Sequence, residues 1–365
     1  MTARVSEDWR LASAEVVGGL LEAERQRWIG ALHWDAQPAF DLLERTRQSG
    51  QAPGLLAYDA DGRPHGFTHY FLQNRRLQIS GLVAESGEVT RQLLDDVLRT
   101  PEAELASDVL CFAFPASAAL EGALTRRRFD VTRYSYLQRA LAPATAAAPS
   151  TAPAAIASHL RQWTEDDAVD TVRLFARSYA GNEAAKAFAP RGTLEEWAQY
   201  VAQIIKTPGC GRFLPAASVS VQHPADDRLR GLVLTTTLQR DTAHIAQLAV
   251  DPAYRRRGLA RALVEEASRR AGAAGCWRVT LLVADDNAAA RDLYASLGFE
   301  PVAHFLYATR QAPNRLRGQR TRERTALRSY RSNRSRASRT GTVPTLLIPG
   351  PAGLVRARKP LQRQC

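Results

Sequence analysis

The sequence predicts an α/β (α+β) protein built as two domains in tandem, followed by a basic C-terminal tail. Three observations carry that reading. Short apolar, strand-like runs and amphipathic, helix-like runs follow one another in the same order in both halves of the chain. Residues 141–155, LAPATAAAPSTAPAA, contain only Ala, Pro, Thr and Ser after Leu141, the composition of an inter-domain linker. Residues 311–365 hold thirteen arginines and one lysine against a single acid, Glu323, with too few large apolar side chains for a packed core. The expected organisation is a first domain at 1–140, a linker at 141–155, a second domain at 156–310 and a disordered tail at 311–365.

Composition narrows the class further. A chain of 365 residues can bury two cores, and 45% hydrophobic with 24% charged residues describes a globular protein. The longest apolar run, VLCFAFPASAAL (109–120), is broken by proline and too short to span a bilayer, so no membrane partner is expected. The opening MTARVSEDWR lacks the apolar segment of a signal peptide, which makes the cytoplasm the default. Cys111, Cys210, Cys276 and Cys365 form neither a metal-ligand spacing nor a disulfide framework, and no metal is expected. The net charge of +12 belongs to the tail: residues 311–365 carry +13, which leaves −1 for residues 1–310. Only three of the 49 basic residues are lysines, which points to compositional bias rather than a built charge patch. Nucleic acid is therefore a partner only if the tail contacts it.

In the first half, Leu11, Val16, Leu20, Leu21, Trp28 and Leu32 give helical spacing over 8–32, interrupted at Gly18-Gly19. Pro38 starts a helix over 38–48 with Phe40, Leu42 and Leu43 inward. Strands at 55–59, 66–72 and 77–84 come next, the first two joined through an Asp61-Gly62 hairpin turn. A helix at 88–99, a strand at 109–114, a helix at 117–127 and a strand at 131–137 complete this half.

The second half starts with a strand over 156–163. Thr164 and Asp167 stand at capping-box spacing before a helix over 165–180, which buries Val169, Val172, Phe175, Ala176 and Tyr179. Thr193 caps a helix over 194–206 with Leu194, Trp197, Val201 and Ile204 on one face. Strands at 216–222, 230–238 and 243–250 lead to a helix over 259–272 that buries Leu259, Leu263, Val264 and Ala267. The strand over 277–284 is apolar on both faces, as a central strand must be. Asp285, Asp286 or Asn287 caps the last helix, and Gly298 suits the left-handed position past its end.

The two halves also align with each other. Ile79 on Ile245 matches ISGLVAE to IAQLAVD. Phe129 on Phe299 puts Ser117 on Asn287, Leu124 on Tyr294 and Arg128 on Gly298.

Chemistry concentrates in 244–299. RRRGLA (255–260) joins a strand to a helix N-terminus, where unpaired N–H groups and the positive end of the dipole suit phosphate. Gly258 and the small Ala260 let the backbone of Leu259 and its neighbours approach an anion, and Arg255, Arg256, Arg257 and Arg261 add charge-assisted contacts. On the next helix Asn287 and Tyr294 are seven apart, so they share a face with Ala290 between them. Taken singly, Asn287 is a helix cap and Tyr294 a core tyrosine.

Together, strand, Arg-x-x-Gly-x-Ala, helix, strand, Asn-x-x-Ala-x-x-x-Tyr and Gly-Phe resemble the GNAT-type N-acetyltransferase superfamily over 156–310. The duplicated layout is similar to the tandem, mycothiol synthase-like form with one degenerate copy. The resemblance implies two GNAT-like domains, each a mixed, mostly antiparallel twisted sheet flanked by helices. It implies acetyl-coenzyme A as co-substrate, its pyrophosphate on Arg255–Arg261 and its pantetheine arm near Asn287 and Ala290. It further implies that N–H groups of Leu248, Ala249 and Val250 polarise the acyl carbonyl, that a primary amine of a small molecule or protein attacks directly, and that Tyr294 protonates the departing thiolate. The resemblance also implies a base for the incoming ammonium, a Glu of that strand or a residue acting through water. The strand 243–250 carries no Glu; His244, six residues before Val250, and Gln247 are its polar choices, with His244 the candidate whose ordinary pKa suits the task.

The first half reads ESGEVTRQLL where the cradle would be, with Ser117 and Leu124 in place of the Asn and Tyr. It is expected not to bind coenzyme A productively. The competing reading is a non-catalytic acetyl-coenzyme A sensor, or a nucleic-acid-associated protein using the tail. The expected assembly is a monomer or homodimer.

Overall fold

The computed structural model describes residues 6–141, 159–182, 185, 188–207, 211–222 and 228–311. Linker residues 142–155 and the tail from 312 onward lie outside the described residues. Among those described, no helix is long and apolar enough to cross a membrane.

The chain forms two compact units, and neither is a contiguous half of the sequence. Among the described residues the first holds 6–134 and 303–311, and the second holds the rest, from 135 to 302. Each unit therefore takes its last strand from the other half of the chain.

The first unit contains β1 (Glu7–Asp8), α1 (Ala14–Leu32), α2 (Gln37–Gln48), β2 (Gly54–Tyr58), β3 (Pro64–Gln73) and β4 (Arg76–Ala84). After these come α3 (Gly87–Val97), α4 (Pro101–Leu105), β5 (Asp108–Ala113), α5 (Ala118–Arg126) and the start of β6 (Asp130–Ala140). Its sheet runs β1-β2-β3-β4-β5 and is completed by β13 (Glu300–Gln311), whose Leu306–Gln311 pairs antiparallel with Asp108–Ala113. Phe305 seats in an aromatic cluster with Trp28, Phe112 and Phe114. A fragment ending at 140 would lack that strand and leave β5 as an open edge.

The second unit contains β7 (Leu160–Gln162), α6 (Ala168–Ser178), α7 (Leu194–Lys206), β8 (Arg212–Phe213), β9 (Val219–Gln222), β10 (Leu229–Gln239) and β11 (Thr242–Val250). The remaining elements are α8 (Leu259–Ala273), β12 (Arg278–Ala284) and α9 (Ala288–Ser296). The sheet order is β6-β12-β11-β10-β9-β7, with β8 on β10. β11 is buried along its whole length and β12 from Val279 onward, as both-side coverage by helices requires. Both capping signals form: Asp167 accepts from the Thr164 N–H at 2.9 Å, and Thr193 and Glu196 close a reciprocal box.

The repeat appears in the strand registers. Arg76–Ile79 pairs parallel with Asp108–Cys111, and Thr242–Ile245 pairs parallel with Arg278–Leu281, so equivalent positions sit at matching steps. The antiparallel partners match as well. β3–β4 slips between His69↔Gly81 and Tyr70↔Ile79, and β10–β11 slips between Leu234↔Gln247 and Thr235↔Ile245. Both slips are a one-residue bulge, at Ser80 in one unit and Ala246 in the other. Ser117 caps α5 through the Leu120 N–H as Asn287 caps α9 through the Ala290 N–H, and Arg128 and Gly298 both have positive φ, 61° and 79°.

Several expectations about faces and breaks change. α1 runs unbroken through Gly18 and Gly19, because burial of Val17, Leu21, Trp28 and Leu32 outweighs about 1 kcal/mol of helix propensity per glycine. On α6 the inward positions are Thr171, Leu174, Phe175 and Ser178, with Tyr179 just after, while Val169 is 62% exposed. The face turns because Thr171 supplies the hydroxyl partner of buried Trp163 Nε1, at 2.9 Å. Leu194 likewise lies outside the core face of α7, where Tyr200 joins Trp197, Val201 and Ile204. The short α4 and the long β13 were not anticipated.

Candidate active site

The site of the second unit grows from the way β11 leaves β12. Their parallel ladder ends at Ile245↔Leu281, although β11 continues to Val250 and β12 to Ala284. Beyond the bulge at Ala246, the strand that β11 pairs with among the described residues is β10, from Gln247↔Leu234 to Val250↔Gly231. Residues alternate between the two edges of a strand, with the N–H and C=O of one residue on the same edge. The carbonyl of Leu248 accepts from Tyr179 Oη at 2.7 Å, and that of Val250 accepts from Ser178 Oγ at 3.2 Å and Arg255 Nε at 3.3 Å. Those two residues therefore face away from β10, and their N–H groups line the open edge. Ala249, between them, faces β10, and the next residue of that parity, Asp251, donates to Arg230 O at 2.8 Å.

The loop after Val250 turns at two residues with positive φ, Arg256 at 59° and Gly258 at 81°. Such reversals aim successive N–H groups into one concavity. Gly258 is the N-cap of the fifteen-residue α8, and no side chain caps its first turn. The N–H groups of Leu259, Ala260 and Arg261 thus head a helix whose dipole favours an anion. Arg257 and Arg230 lie over the Tyr254 ring, at 5.1 and 4.5 Å, and Arg261 bonds Ser296 Oγ at 2.5 Å. Arg255 turns inward instead: besides Val250 O it donates to Ser178 O at 2.9 Å, and desolvation lowers its pKa.

Asn287, Ala290 and Tyr294 share the buried face of α9, at 8%, 0% and 0% exposure. Asn287 Oδ1 accepts from the Ala290 N–H at 3.3 Å. Tyr294 meets Phe299 edge-on at 5.6 Å and packs in the same core cluster as Leu248, Val250 and Leu259. Burial pushes its phenol above the ordinary tyrosine range, so the group stays protonated at neutral pH. Tyr179, stacked on Trp197 at 5.3 Å, is also shifted upward, first by burial and then by the nearby Tyr294. Through Tyr179, the open edge and the α9 tyrosine become one site.

His244 lies deep in the sheet, with Nδ1 2.9 Å from Thr280 Oγ1 and its ring stacked on Tyr136 at 6.0 Å. Burial pushes its pKa down to about 3, more than three decades below an ordinary imidazole. That loss of basicity weighs against His244 as the acceptor of an ammonium proton.

Tyr179 and Ser178 are the site residues that sequence reasoning missed. Tyr179 reads as one more core residue of a helix, and only the packing of α6 across β11 reveals its hydroxyl partner. A usable signal was present: a tyrosine on a buried face must find a hydrogen-bond partner, and the neighbouring strand was the nearest source of carbonyls.

The first unit keeps the splay, its parallel ladder ending at Ile79↔Cys111 while β4 runs on to Ala84, but it does not keep the cradle or the tyrosine, whose place Leu124 takes. Thirty-two residues separate the paired Arg76 and Asp108, against thirty-six between Thr242 and Arg278, so its loop and helix are four residues shorter. Ser86 caps α3 with its own side chain, on the Val89 N–H. Over the bulge, the His69 ring lies against Gly81, where a Cβ would come within 2.4 Å of it, and Trp9 stacks on that ring at 5.6 Å.

Among the described residues no group of three or more His, Cys, Asp or Glu side chains is placed to hold a metal ion. Comparison with known proteins matches residues 183–299 to the family described as Acetyltransferase (GNAT) family. A mycothiol acetyltransferase of Beutenbergia cavernae is 32% identical over 280 residues, covering 72% of this chain and 86% of the relative. A [ribosomal protein bS18]-alanine N-acetyltransferase of Salmonella typhimurium is 41% identical over 81 residues, 22% of this chain and 54% of that protein. Among solved structures, a tandem GNAT protein from the clavulanic acid biosynthesis pathway aligns over 85% of this chain and 98% of its own, with TM-score 0.54 and 16% identity. A GCN5-related N-acetyltransferase from Sphaerobacter thermophilus aligns over 71% and 80%, with TM-score 0.53 and 16% identity.

Proposed function

Because this chain belongs to the GNAT acetyltransferase family, in its tandem form, we propose that it moves an acetyl group from acetyl-coenzyme A to a primary amine, at one active site in the second unit. One observation carries the reading: an uncapped helix N-terminus behind a loop of positive-φ residues, at the end of a strand whose far edge is open. The diphosphate of the donor binds the N–H groups of the 256–261 segment, and the pantetheine arm runs along the open edge past Asn287 and Ala290. The thioester carbonyl accepts from the N–H of Leu248 or Val250, where negative charge develops in the transition state. The amine attacks the carbonyl carbon, the C–S bond breaks, and Tyr294 gives its proton to the departing thiolate. With its basicity depressed, His244 serves by fixing Thr280 at the root of the splay, and the ammonium proton leaves through solvent. The first unit completes the protein without binding the donor.

The relative that shares most of the chain is named a mycothiol acetyltransferase, and the one that shares a short stretch acts on an alanine of a ribosomal protein. The acceptor panel therefore includes the acceptor of mycothiol acetyltransferase and alanine-initiated peptides, beside simple primary amines. The test is release of free thiol from acetyl-coenzyme A with each amine. Tight binding of the donor without thiol release on any amine would favour a non-catalytic sensor.

A further inference from the structure

The expected role of Arg255 is to hold phosphate, but its guanidinium is engaged elsewhere. It donates to two backbone carbonyls, Val250 O at 3.3 Å and Ser178 O at 2.9 Å, and so ties the phosphate loop to the end of β11 and the end of α6. Ser178 Oγ bonds the same Val250 carbonyl at 3.2 Å, and Tyr179 Oη bonds the Leu248 carbonyl at 2.7 Å. Three consecutive attachments thus run along the edge that β12 abandons after Leu281.

That edge has two ways to satisfy its backbone. It could close against β12, which would extend the parallel ladder and bury the N–H groups of Leu248 and Val250. Alternatively, its carbonyls can be satisfied from outside the sheet while the N–H groups stay available. The structure shows the second arrangement, with each carbonyl on the open edge held by a donor from α6 or the loop. Tyr179 is itself fixed between Trp197, at 5.3 Å, and Phe175, at 5.9 Å, so its hydroxyl has little freedom.

We propose that Tyr179, Ser178 and Arg255 form a clamp that holds the open edge of β11 in the geometry that receives the acyl carbonyl, with Tyr179 as its principal positioning residue. The proposal rests on the acetyltransferase reading above. None of the three touches the acyl group; they act through the backbone of Leu248 and Val250. Because Arg255 joins the clamp to the phosphate loop, a donor seated on that loop meets an edge already in place.

The test uses the full chain and compares calorimetric affinities for acetyl-coenzyme A and for coenzyme A. The two ligands differ only in the acyl group, so their Kd ratio reports the carbonyl contact and cancels the diphosphate. The wild type is expected to prefer acetyl-coenzyme A about tenfold, the equilibrium worth of one well-made hydrogen bond. Tyr179→Phe keeps the stacked ring, and should bring the ratio below threefold while coenzyme A affinity stays within twofold of wild type. Arg255→Lys keeps the charge but loses the fork, and should also collapse the ratio. If either variant unfolds, as read by its thermal transition, Ser178→Ala supplies a smaller removal from the same clamp, with the same fall in ratio expected. An unchanged ratio in Tyr179→Phe, or loss of coenzyme A affinity with the ratio intact in Arg255→Lys, would overturn the clamp alone. A wild type that binds neither ligand would overturn the acetyltransferase reading, and the clamp with it.

Discussion

Tyr294→Phe isolates one hydroxyl in an otherwise unchanged site. The ring is fully buried, meets Phe299 at 5.6 Å, and belongs to the same core cluster as Leu248, Val250, Leu259 and Ala290, a packing that phenylalanine retains. The structural cost is the lost hydrogen bonding of one phenol, about 1 kcal/mol, so a midpoint of unfolding within a few degrees of wild type is expected. The catalytic cost is larger. General acids contribute about 10² to 10⁴, and a thiolate with a pKa near 8.5 departs fairly well unaided, which places this case at the lower end. A fall of about 100-fold in kcat follows, equivalent to about 2.7 kcal/mol. The donor KM should stay within threefold, because the hydroxyl acts only as the C–S bond breaks. Burial holds the phenol protonated above the ordinary tyrosine range, so wild-type activity should show no alkaline loss from this group below about pH 10. Initial rates against acetyl-coenzyme A, with free thiol as the readout, decide the matter. A kcat within threefold of wild type, or a loss carried entirely by KM, would refute the general-acid role.

Other perturbations have equally definite outcomes. Gly258→Ala places a side chain at φ 81°, a strain of about 1–2 kcal/mol at the mouth of the cradle; the donor Kd should rise at least tenfold, as calorimetry would show. Arg128 and Gly298 occupy equivalent turns at φ 61° and 79°, so Arg128→Gly should stabilise by about 1 kcal/mol and Gly298→Ala destabilise by a similar amount in urea melts. Nothing lies within 4 Å of a Cβ at Gly298, so the second cost comes from the backbone alone. His69 is buried with both ring nitrogens lacking a hydrogen-bond partner among the described residues, and desolvation holds its pKa at about 4, below the unfolded value near 6.5. The unfolded chain therefore binds the proton first as pH falls, and roughly 3 kcal/mol of stability present above pH 6.5 should be lost between pH 6.5 and 4. His69→Leu, the residue type at the equivalent Leu234, should remove that share of the acid loss; equal wild-type and variant slopes would contradict it.

The repeat was legible because it is written in local patterns. Helical spacing in 194–206, the capping pair Thr164/Asp167, the Thr193 and Asn287 caps and Gly298 are all set within one turn of chain, where backbone chemistry acts. For the same reason the cradle could be seen in 255–260: a glycine at a positive φ and a helix start are neighbours in sequence. What sequence could not supply was any property fixed by a partner distant in the chain. The inward face of α6 is set by Trp163 needing a hydroxyl from Thr171, and the role of Tyr179 by β11 offering a carbonyl sixty-nine residues away. Arg255 reads as a phosphate ligand from its spacing, but its guanidinium reaches Ser178 O, which only the packing of α6 brings near. The same division covers the strands at the ends of the two halves. The pattern of 131–137 marks the first of them as a strand, while β13 itself and the choice of sheet for both belong to edges that form only when the whole chain has folded.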